Sequence, residues 1–283
     1  MAADEHFITV NSIIYYVRYE GNKENPLVIL CHALMANNSM WDATVPALHQ
    51  AGFSTLRFDH VGHNLTTFNS PEAASKKYHF DDFVSHIYTL VQKVAAPGKV
   101  PFAFIGCSIG GVLALRYAQM YPGALDKVIS CDAPGLSTIE AAKPLWISRM
   151  AQFKAEGVEN LAKATVERWF PEPCLDSVRE GMLEQTRSCT LEGYQACAMA
   201  VMNYDYFPGL KNIEKEHVLV LAGENDSAIG PREILVNVAK EIPNAKYVLM
   251  KGVGHLPPYH DPEGFNKIML DFLTCRKRTP FEL

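Results

Sequence analysis

The chain has 283 residues, of which 48% are hydrophobic, and a formal net charge of −5 at neutral pH. This length allows one or two domains with a large core. The acidic balance argues against nucleic acid and against an anionic membrane surface as partners, because both are bound by basic faces. The N-terminus carries acids where a secretory signal carries bases, and no apolar stretch approaches the roughly 18 residues of a membrane span.

Cysteine usage bears on compartment and on metal binding. The seven cysteines are odd in number, form no CxxC pair and have mostly apolar neighbours. This pattern favours buried thiols over disulfides or metal ligands. We therefore expect no metal site and a reducing, cytoplasmic location.

The first half of the chain alternates between strand and helix patterns. Short runs rich in β-branched and aromatic residues, or continuously apolar, predict strands. They lie at about 7–11, 13–19, 26–32, 53–60, 100–108 and 125–132. Helical patterns fall between them, the clearest being the apolar spacing from Phe80 to Val94. This rhythm predicts an α/β fold whose central sheet is mostly parallel, with helices on both faces.

The rhythm changes after residue 133. From Pro134 to Pro208 the pattern is helical without a convincing strand, and the alternation resumes with a strand near 217–226. A helix opened by Pro231, a strand before His255 and a last helix opened by Asp261 and Pro262 follow. We therefore predict a core in two parts, 1–133 and 209–283, with a helical lid at 134–208.

One hydroxyl interrupts the core-forming sequence at the centre of the chain. Ser108 stands between Gly106 and Gly110, after a buried strand pattern and before an apolar helix pattern. A strand that turns directly into a helix strains the turning residue, and flanking glycines remove β-carbons that would collide. These are the mechanics of the G-x-S-x-G nucleophile elbow, so Ser108 is the candidate nucleophile.

A serine nucleophile needs a base, and the base needs a carboxylate to fix its tautomer. His255 follows the last predicted strand on a glycine-flanked loop, at the edge of the sheet where the elbow also opens. Asp226 follows the preceding strand, and the order Ser, Asp, His is that of α/β-hydrolase triads. Asp132, which also follows a strand, is the alternative acid, with Glu224 third.

A developing oxyanion needs backbone donors. One should be the N–H of Ile109, the residue after the nucleophile, and the other should come from the loop after the third strand. Ala33 and Leu34 are the candidates in that loop, and Leu34 is preferred. Each such donor is typically worth about 2.7–4 kcal/mol in the transition state.

Nearly the whole chain resembles the α/β-hydrolase superfamily, most closely its branch of 3-oxoadipate enol-lactonases and small esterases and lactonases. The segments MWDATVPAL, RFDHVGH, GCSIGG, AGENDSAIGP and GVGHLPPYHDPEGF carry the resemblance. It implies cofactor-free hydrolysis of an ester or lactone through an acyl-serine, with Ser108, His255 and Asp226 as triad and Leu34 and Ile109 as oxyanion donors. The loop from Asp59 lacks the arginine and second glycine of many relatives.

The lid should contribute to a substrate pocket. Its bulky side chains and two positions beside the predicted site are the pocket candidates. They are Ala33, Trp146, Met150, Trp169, Tyr194, Met199 and Leu256. Arg149, Arg168 and Arg187 are the cations available to a charged substrate, but long helices usually carry arginines at their surface, and that is our expectation.

These observations predict a serine hydrolase for a small, rather apolar carboxylic ester or lactone. Two alternatives stay open. The same triad can hydrolyse a C–C bond of a diketone, and a small-molecule receptor can use the same scaffold. The expected partner is the small-molecule substrate alone, and a homodimer is left open.

Overall fold

The strands form one sheet in this computed structural model, which describes residues 3–96, 98–228 and 232–275. The strands are β1 Asp4–Val10, β2 Ile13–Glu20, β3 Leu27–Cys31, β4 Ser54–Phe58, β5 Thr67–Phe68, β6 Ala103–Cys107, β7 Lys127–Cys131, β8 His217–Gly223 and β9 Lys246–Met250. The spatial order is β1-β2-β4-β3-β6-β7-β8-β9, with β5 paired to β2. The pairings β1–β2, β2–β4 and β2–β5 are antiparallel, and the remaining strands pair in parallel.

Helices connect the parallel strands and form a separate group between β7 and β8. The α-helices are α1 Val45–Gln50, α2 Pro71–Ser75, α3 Phe80–Val94, α4 Ile109–Met120, α5 Lys143–Glu156, α6 Val158–Trp169, α7 Asp176–Arg187, α8 Leu191–Val201, α9 Glu233–Glu241, α10 Pro257–His260 and α11 Pro262–Thr274. Three 3-10 helices span Asn38–Trp41, Glu140–Ala142 and Phe207–Asn212. The predicted α/β architecture with a mostly parallel sheet is therefore confirmed.

The core lies on both faces of the parallel strands. Every residue of β3, β4, β6 and β7 is buried, as expected for strands covered by helices on each side. The apolar side of α3 packs inward, because Phe80, Phe83, Ile87 and Leu90 recur at helical spacing. Parallel strands end at the same edge of a sheet, so the loops after β3, β6, β7, β8 and β9 meet there.

The four helices α5–α8 fall inside the segment predicted as a lid. They contact the core through the loop after β4. The N–H of Asn64 donates to Ser188 O at 3.0 Å, and that of Thr190 donates to Gly62 O at 2.8 Å. Gly62 is required at this crossing, because a Cβ there would lie 2.4 Å from the Cα of Gly193 in α8. The division at residues 133 and 208 stays a prediction. Pro231, predicted to open α9, is outside the described residues.

Candidate active site

Ser108 sits in a strained turn between β6 and α4. Its backbone has φ 56° and ψ −120°, a left-handed conformation that is rare for a residue with a side chain. The flanking glycines are needed for close approach. A Cβ at Gly106 would lie 1.9 Å from Gly110 O, and one at Gly110 would lie 2.3 Å from Cys31 O. The turn therefore presents a serine at the N-terminus of α4, on the wall of a cavity.

His255 contacts a carboxylate on the same side of the sheet. Its Nδ1 lies 2.8 Å from Oδ2 of Asp226, and both side chains are 3% exposed. Backbone contacts fix both residues, because His255 N–H donates to Trp169 O at 2.9 Å and Ala228 N–H donates to Asp226 Oδ1 at 2.7 Å. With Nδ1 facing the carboxylate, Nε2 is the ring nitrogen left to exchange a proton. His255 and Ser108 line the same cavity.

Asp132, the alternative acid, is fully buried at the end of β7. Its carboxyl oxygens accept the N–H of Gly223 at 3.0 and 3.2 Å. Burial, followed by the charge of Asp226, raises the pKa of Asp132 well above its ordinary value. Burial alone would raise the pKa of Asp226 too, but the charge and hydrogen bond of His255 bring that pKa below its ordinary value. The pair is therefore unequal, with Asp226 the more acidic carboxyl.

Leu34 and Ile109, the predicted oxyanion donors, both line this cavity. Ile109 is the first residue of α4, where N–H groups have no acceptor within the helix and the helix dipole is positive. Among the described residues, neither the Leu34 nor the Ile109 N–H donates to another backbone group. Met35, which follows Leu34 in the chain, has φ 71° and donates its N–H to Nε2 of His63 at 3.0 Å.

Three buried histidines, His32, His60 and His63, form hydrogen bonds that stabilise the loop after β3. His32 Nδ1 lies 2.8 Å from Ala33 O, and His60 N–H donates to His32 Nε2 at 3.0 Å. His63 Nδ1 lies 2.9 Å from Val61 O, so its Nε2 is the acceptor for Met35. Burial, followed by the charge of His63, lowers the pKa of His60 to about 3, and burial lowers that of His63 to about 4. Both rings are therefore neutral scaffolding groups.

The loop after β4, whose sequence differs from that of many relatives, is held by hydrogen bonds of two asparagines. Asn64 takes the place of the second glycine and adopts φ 46°, which asparagine tolerates better than most residues. Its side chain donates to Asp59 Oδ2 at 2.9 Å. Oδ1 of Asp59 accepts the backbone and side-chain N–H groups of Asn38 at 2.8 and 2.7 Å. The buried Asp59 thus has partners without the missing arginine.

The cavity wall differs in part from the predicted pocket. Trp146, Trp169 and Tyr194 line the cavity. Within the described ranges, four other predicted residues are not part of this wall, namely Ala33, Met150, Met199 and Leu256. Ala33 and Leu256 are fully buried in the hydrophobic core. The sequence identifies bulky side chains of the lid, but it does not give the direction in which each one points.

Two residues on the wall correct an expectation. Arg149 and Arg168, expected at the surface, line the cavity with Ser108 and His255. Arg187 is at the surface as expected and is paired with Glu159 at 2.9 Å. Thr165 is a further polar residue on the wall. The sequence held no spacing signal for these residues, because their position depends on how α5 and α6 pack over the sheet.

In residues 3–96, 98–228 and 232–275, no three His, Cys, Asp or Glu side chains converge in a way that could hold a metal ion. In the same residues, none of the helices combines the length and apolar character needed to cross a bilayer.

Comparisons with known proteins identify the class. The sequence profile of the alpha/beta hydrolase fold matches residues 26–262, so the chain belongs to the α/β-hydrolase family. An alpha/beta hydrolase domain-containing protein of Arabidopsis thaliana, VTE7, is 25% identical over 258 residues, which are 87% of this chain and 73% of VTE7.

Solved structures share the fold of this chain. The enol-lactonase from Burkholderia xenovorans LB400 has a TM-score of 0.82 and 25% identity, covering 94% of this chain and 98% of that one. A thermophilic esterase from Thermogutta terrifontis has a TM-score of 0.81 and 23% identity, covering 96% and 98%. The predicted resemblance to this family is confirmed.

Proposed function

We propose that this chain is a serine hydrolase that cleaves a small carboxylic ester or lactone, with Ser108 as nucleophile, His255 as base and Asp226 as its orienting acid. The observation that carries the proposal is the 2.8 Å contact between Asp226 and a histidine that shares a cavity with the strained Ser108. The lower pKa of Asp226 favours it over Asp132 as the ionised partner.

The chemistry follows from these groups. Nε2 of His255 takes the hydroxyl proton as Oγ of Ser108 attacks the carbonyl carbon, and the resulting oxyanion is held by the N–H groups of Leu34 and Ile109. The intermediate collapses, the C–O bond to the leaving group breaks, and His255 returns the proton to the departing oxygen. Water, deprotonated by His255, then cleaves the acyl-serine and restores the hydroxyl.

The cavity favours a small substrate. Its volume is about 60 Å³, well below the roughly 300–1,000 Å³ of sites for drug-sized ligands. Trp146, Trp169 and Tyr194 supply apolar surface, and α5–α8 act in this proposal as a lid over the reacting carbonyl. We expect short acyl chains to be hydrolysed faster than long ones.

The test compares wild type with Ser108→Ala on p-nitrophenyl acetate, p-nitrophenyl butyrate and small lactones. Wild type should hydrolyse at least one of them. The kcat of the variant should be lower by a factor on the order of 10⁵–10⁶, as expected when a catalytic triad loses its nucleophile. Equal activity of the two proteins would overturn the proposal.

Two other outcomes identify the alternatives. Cleavage of a β-diketone without ester cleavage would favour the C–C hydrolase. Binding of a small ester by both proteins without turnover by either would favour the receptor. In both experiments, matching thermal unfolding curves show that Ser108→Ala is folded.

A further inference from the structure

The loop after β3, which carries the proposed oxyanion donor Leu34, forms a tight turn. The N–H of Ala36 donates to Ala33 O at 3.1 Å. Leu34 and Met35 are therefore the two central residues of this turn. Met35 has φ 71°, close to the value at the third position of a type II turn, which glycine adopts most easily. A methionine in this conformation is strained, so the turn needs contacts from outside the loop to keep it.

His63, from the loop after β4, supplies such a contact. Its Nε2 accepts the N–H of Met35 at 3.0 Å, and its Nδ1 lies 2.9 Å from Val61 O. The ring is completely buried, and burial lowers the pKa of His63 to about 4, so Nε2 remains an acceptor at neutral pH. Among the described residues, no backbone carbonyl accepts the Met35 N–H. The bond to His63 therefore fixes the direction of the peptide unit between Leu34 and Met35.

The helices over the sheet enclose this contact. Sγ of Cys189, between α7 and α8, lies 3.3 Å from Nε2 of His63, and the backbones of these two residues form an antiparallel bridge. Oγ1 of Thr165 in α6 lies 3.8 Å from Sδ of Met35. Met35 is itself only 1% exposed. Loss of the histidine acceptor would therefore leave a buried N–H without a partner, which is costly.

We propose that His63 is a positioning residue of the hydrolase, which orients the oxyanion donor Leu34 by holding the peptide unit that follows it. This inference rests on the proposed function, because it concerns one of the two donors assigned there. Within the described ranges, His63 is not part of the cavity wall, so it acts through the loop and not on the substrate.

The expected consequence is a loss of transition-state stabilisation. Without the acceptor, rotation of the peptide unit would bring φ of Met35 to a negative value, relieve its strain and disturb the adjoining N–H of Leu34. An oxyanion donor is effective only at about 2.7–3.1 Å from the oxygen on which charge develops. A displaced donor therefore weakens the transition state more than the bound substrate, and kcat should change more than KM.

The experiment compares two amide variants, each of which keeps one of the two bonds of His63. His63→Gln places its amide oxygen near the position of Nε2 and keeps an acceptor for Met35. His63→Asn is shorter, so it keeps a donor for Val61 O and loses that acceptor. His63→Asn should lower kcat for p-nitrophenyl butyrate by about 10- to 100-fold with little change in KM, because one oxyanion donor is displaced. His63→Gln should stay close to wild type.

A transition-state analogue gives a readout that a merely structural role would not move. Boron of butylboronic acid forms a bond to Oγ of Ser108 while His255 takes the hydroxyl proton, which gives a tetrahedral anion like the intermediate. Butyramide is planar and resembles the bound substrate. In His63→Asn, the inhibition constant of butylboronic acid should rise by the factor by which kcat falls, whereas that of butyramide should stay near the wild-type value.

His86→Asn is the matched control. His86 is another buried histidine, whose two ring nitrogens lie 2.8 Å from Nδ2 of Asn11 and 2.9 Å from the hydroxyl of Tyr15. This variant should keep the kcat of wild type and its inhibition by butylboronic acid. Equal kcat in His63→Asn and His63→Gln would overturn the inference, as would an equal rise of both inhibition constants. His63→Leu, which also lacks an acceptor, replaces His63→Asn if that variant does not fold.

The same measurements keep this inference distinct from the proposed function. A wild type that neither hydrolyses esters nor is inhibited by butylboronic acid would reject the hydrolase, and the role of His63 with it. An active wild type that butylboronic acid inhibits, together with a fully active His63→Asn, would reject the role of His63 alone.

Discussion

The ionisable side chains on the two sides of the cavity differ in whether they are paired. On the sheet side, the loops after β3, β4, β8 and β9 hold ionisable groups that are neutral or paired, as His63 and the His255–Asp226 pair are. On the helix side, formed by α5, α6 and α8, Arg149 and Arg168 are charged and have no carboxylate partner among the described residues. The sheet side thus holds ionisable groups that internal hydrogen bonds fix in place, whereas the two arginines of the helix side lack such a carboxylate bond among the described residues.

This difference has a physical reason. Proton transfer requires one tautomer in one orientation, which internal hydrogen bonds provide. Substitutions on the sheet side should therefore lower kcat for every substrate, and those on the helix side, which forms part of the cavity wall, should change which substrate is preferred.

The largest effect expected in this comparison concerns the two buried carboxyls. Asp226→Asn should lower kcat by about 10⁴ for every ester that the enzyme hydrolyses, because the amide favours the wrong tautomer of His255. Asp132→Asn should lose far less, because its pKa is already raised and an amide oxygen still accepts the Gly223 N–H. Steady-state kinetics of both variants check this.

The reverse ranking of these variants would make Asp132 the acid that serves His255. A loss in Asp226→Asn confined to some of the esters would place Asp226 in recognition and break the division between the two sides.

A smaller effect tests whether the buried histidines on the sheet side are neutral in the folded chain. The pKa of His63 is about 4 in the folded chain, against roughly 6.5 for an unfolded histidine, so the unfolded state binds more protons between these values. Stability from this group is complete above pH 6.5 and is lost as the pH falls towards 4. His60, with a pKa of about 3, acts in the same direction. Each site contributes a slope of about 1.4 kcal/mol per pH unit within its window.

The variant His63→Gln isolates one site, since the Oε1 of glutamine can still accept the N–H of Met35. Urea unfolding at pH 7, 6 and 5 should show a pH dependence shallower than that of wild type by about one such slope. Parallel curves for the two proteins would mean that His63 is accessible to protons in the folded state.

The local structure around Ser108 and in α3 could be predicted from the sequence. The strand before Ser108, the glycines around it and the helix after it are dictated by sterics within a few residues. The bounds Phe80–Val94 of α3 follow from its apolar spacing. The helices α2 and α10, of five and four residues, were missed because they are too short for a period to show.

Contacts between residues that are far apart in the sequence could not be predicted without the fold. Asp132 and Asp226 both follow strands, and only the packing of β7 against β8 and β9 decides which of them contacts His255. The same holds for the arginines. Arg149 and Arg187 occupy similar helix patterns, yet the first faces the cavity and the second pairs with Glu159 on the surface.

The central claim, that His255 and Asp226 activate Ser108, is tested most directly by covalent labelling with a fluorophosphonate. Oγ of an activated serine attacks phosphorus, fluoride leaves, and intact-protein mass spectrometry records one added phosphonyl group. We predict a single label on Ser108 in wild type, none in Ser108→Ala and slower labelling in Asp226→Asn. An unlabelled wild type, or equal labelling of wild type and Ser108→Ala, would contradict the account.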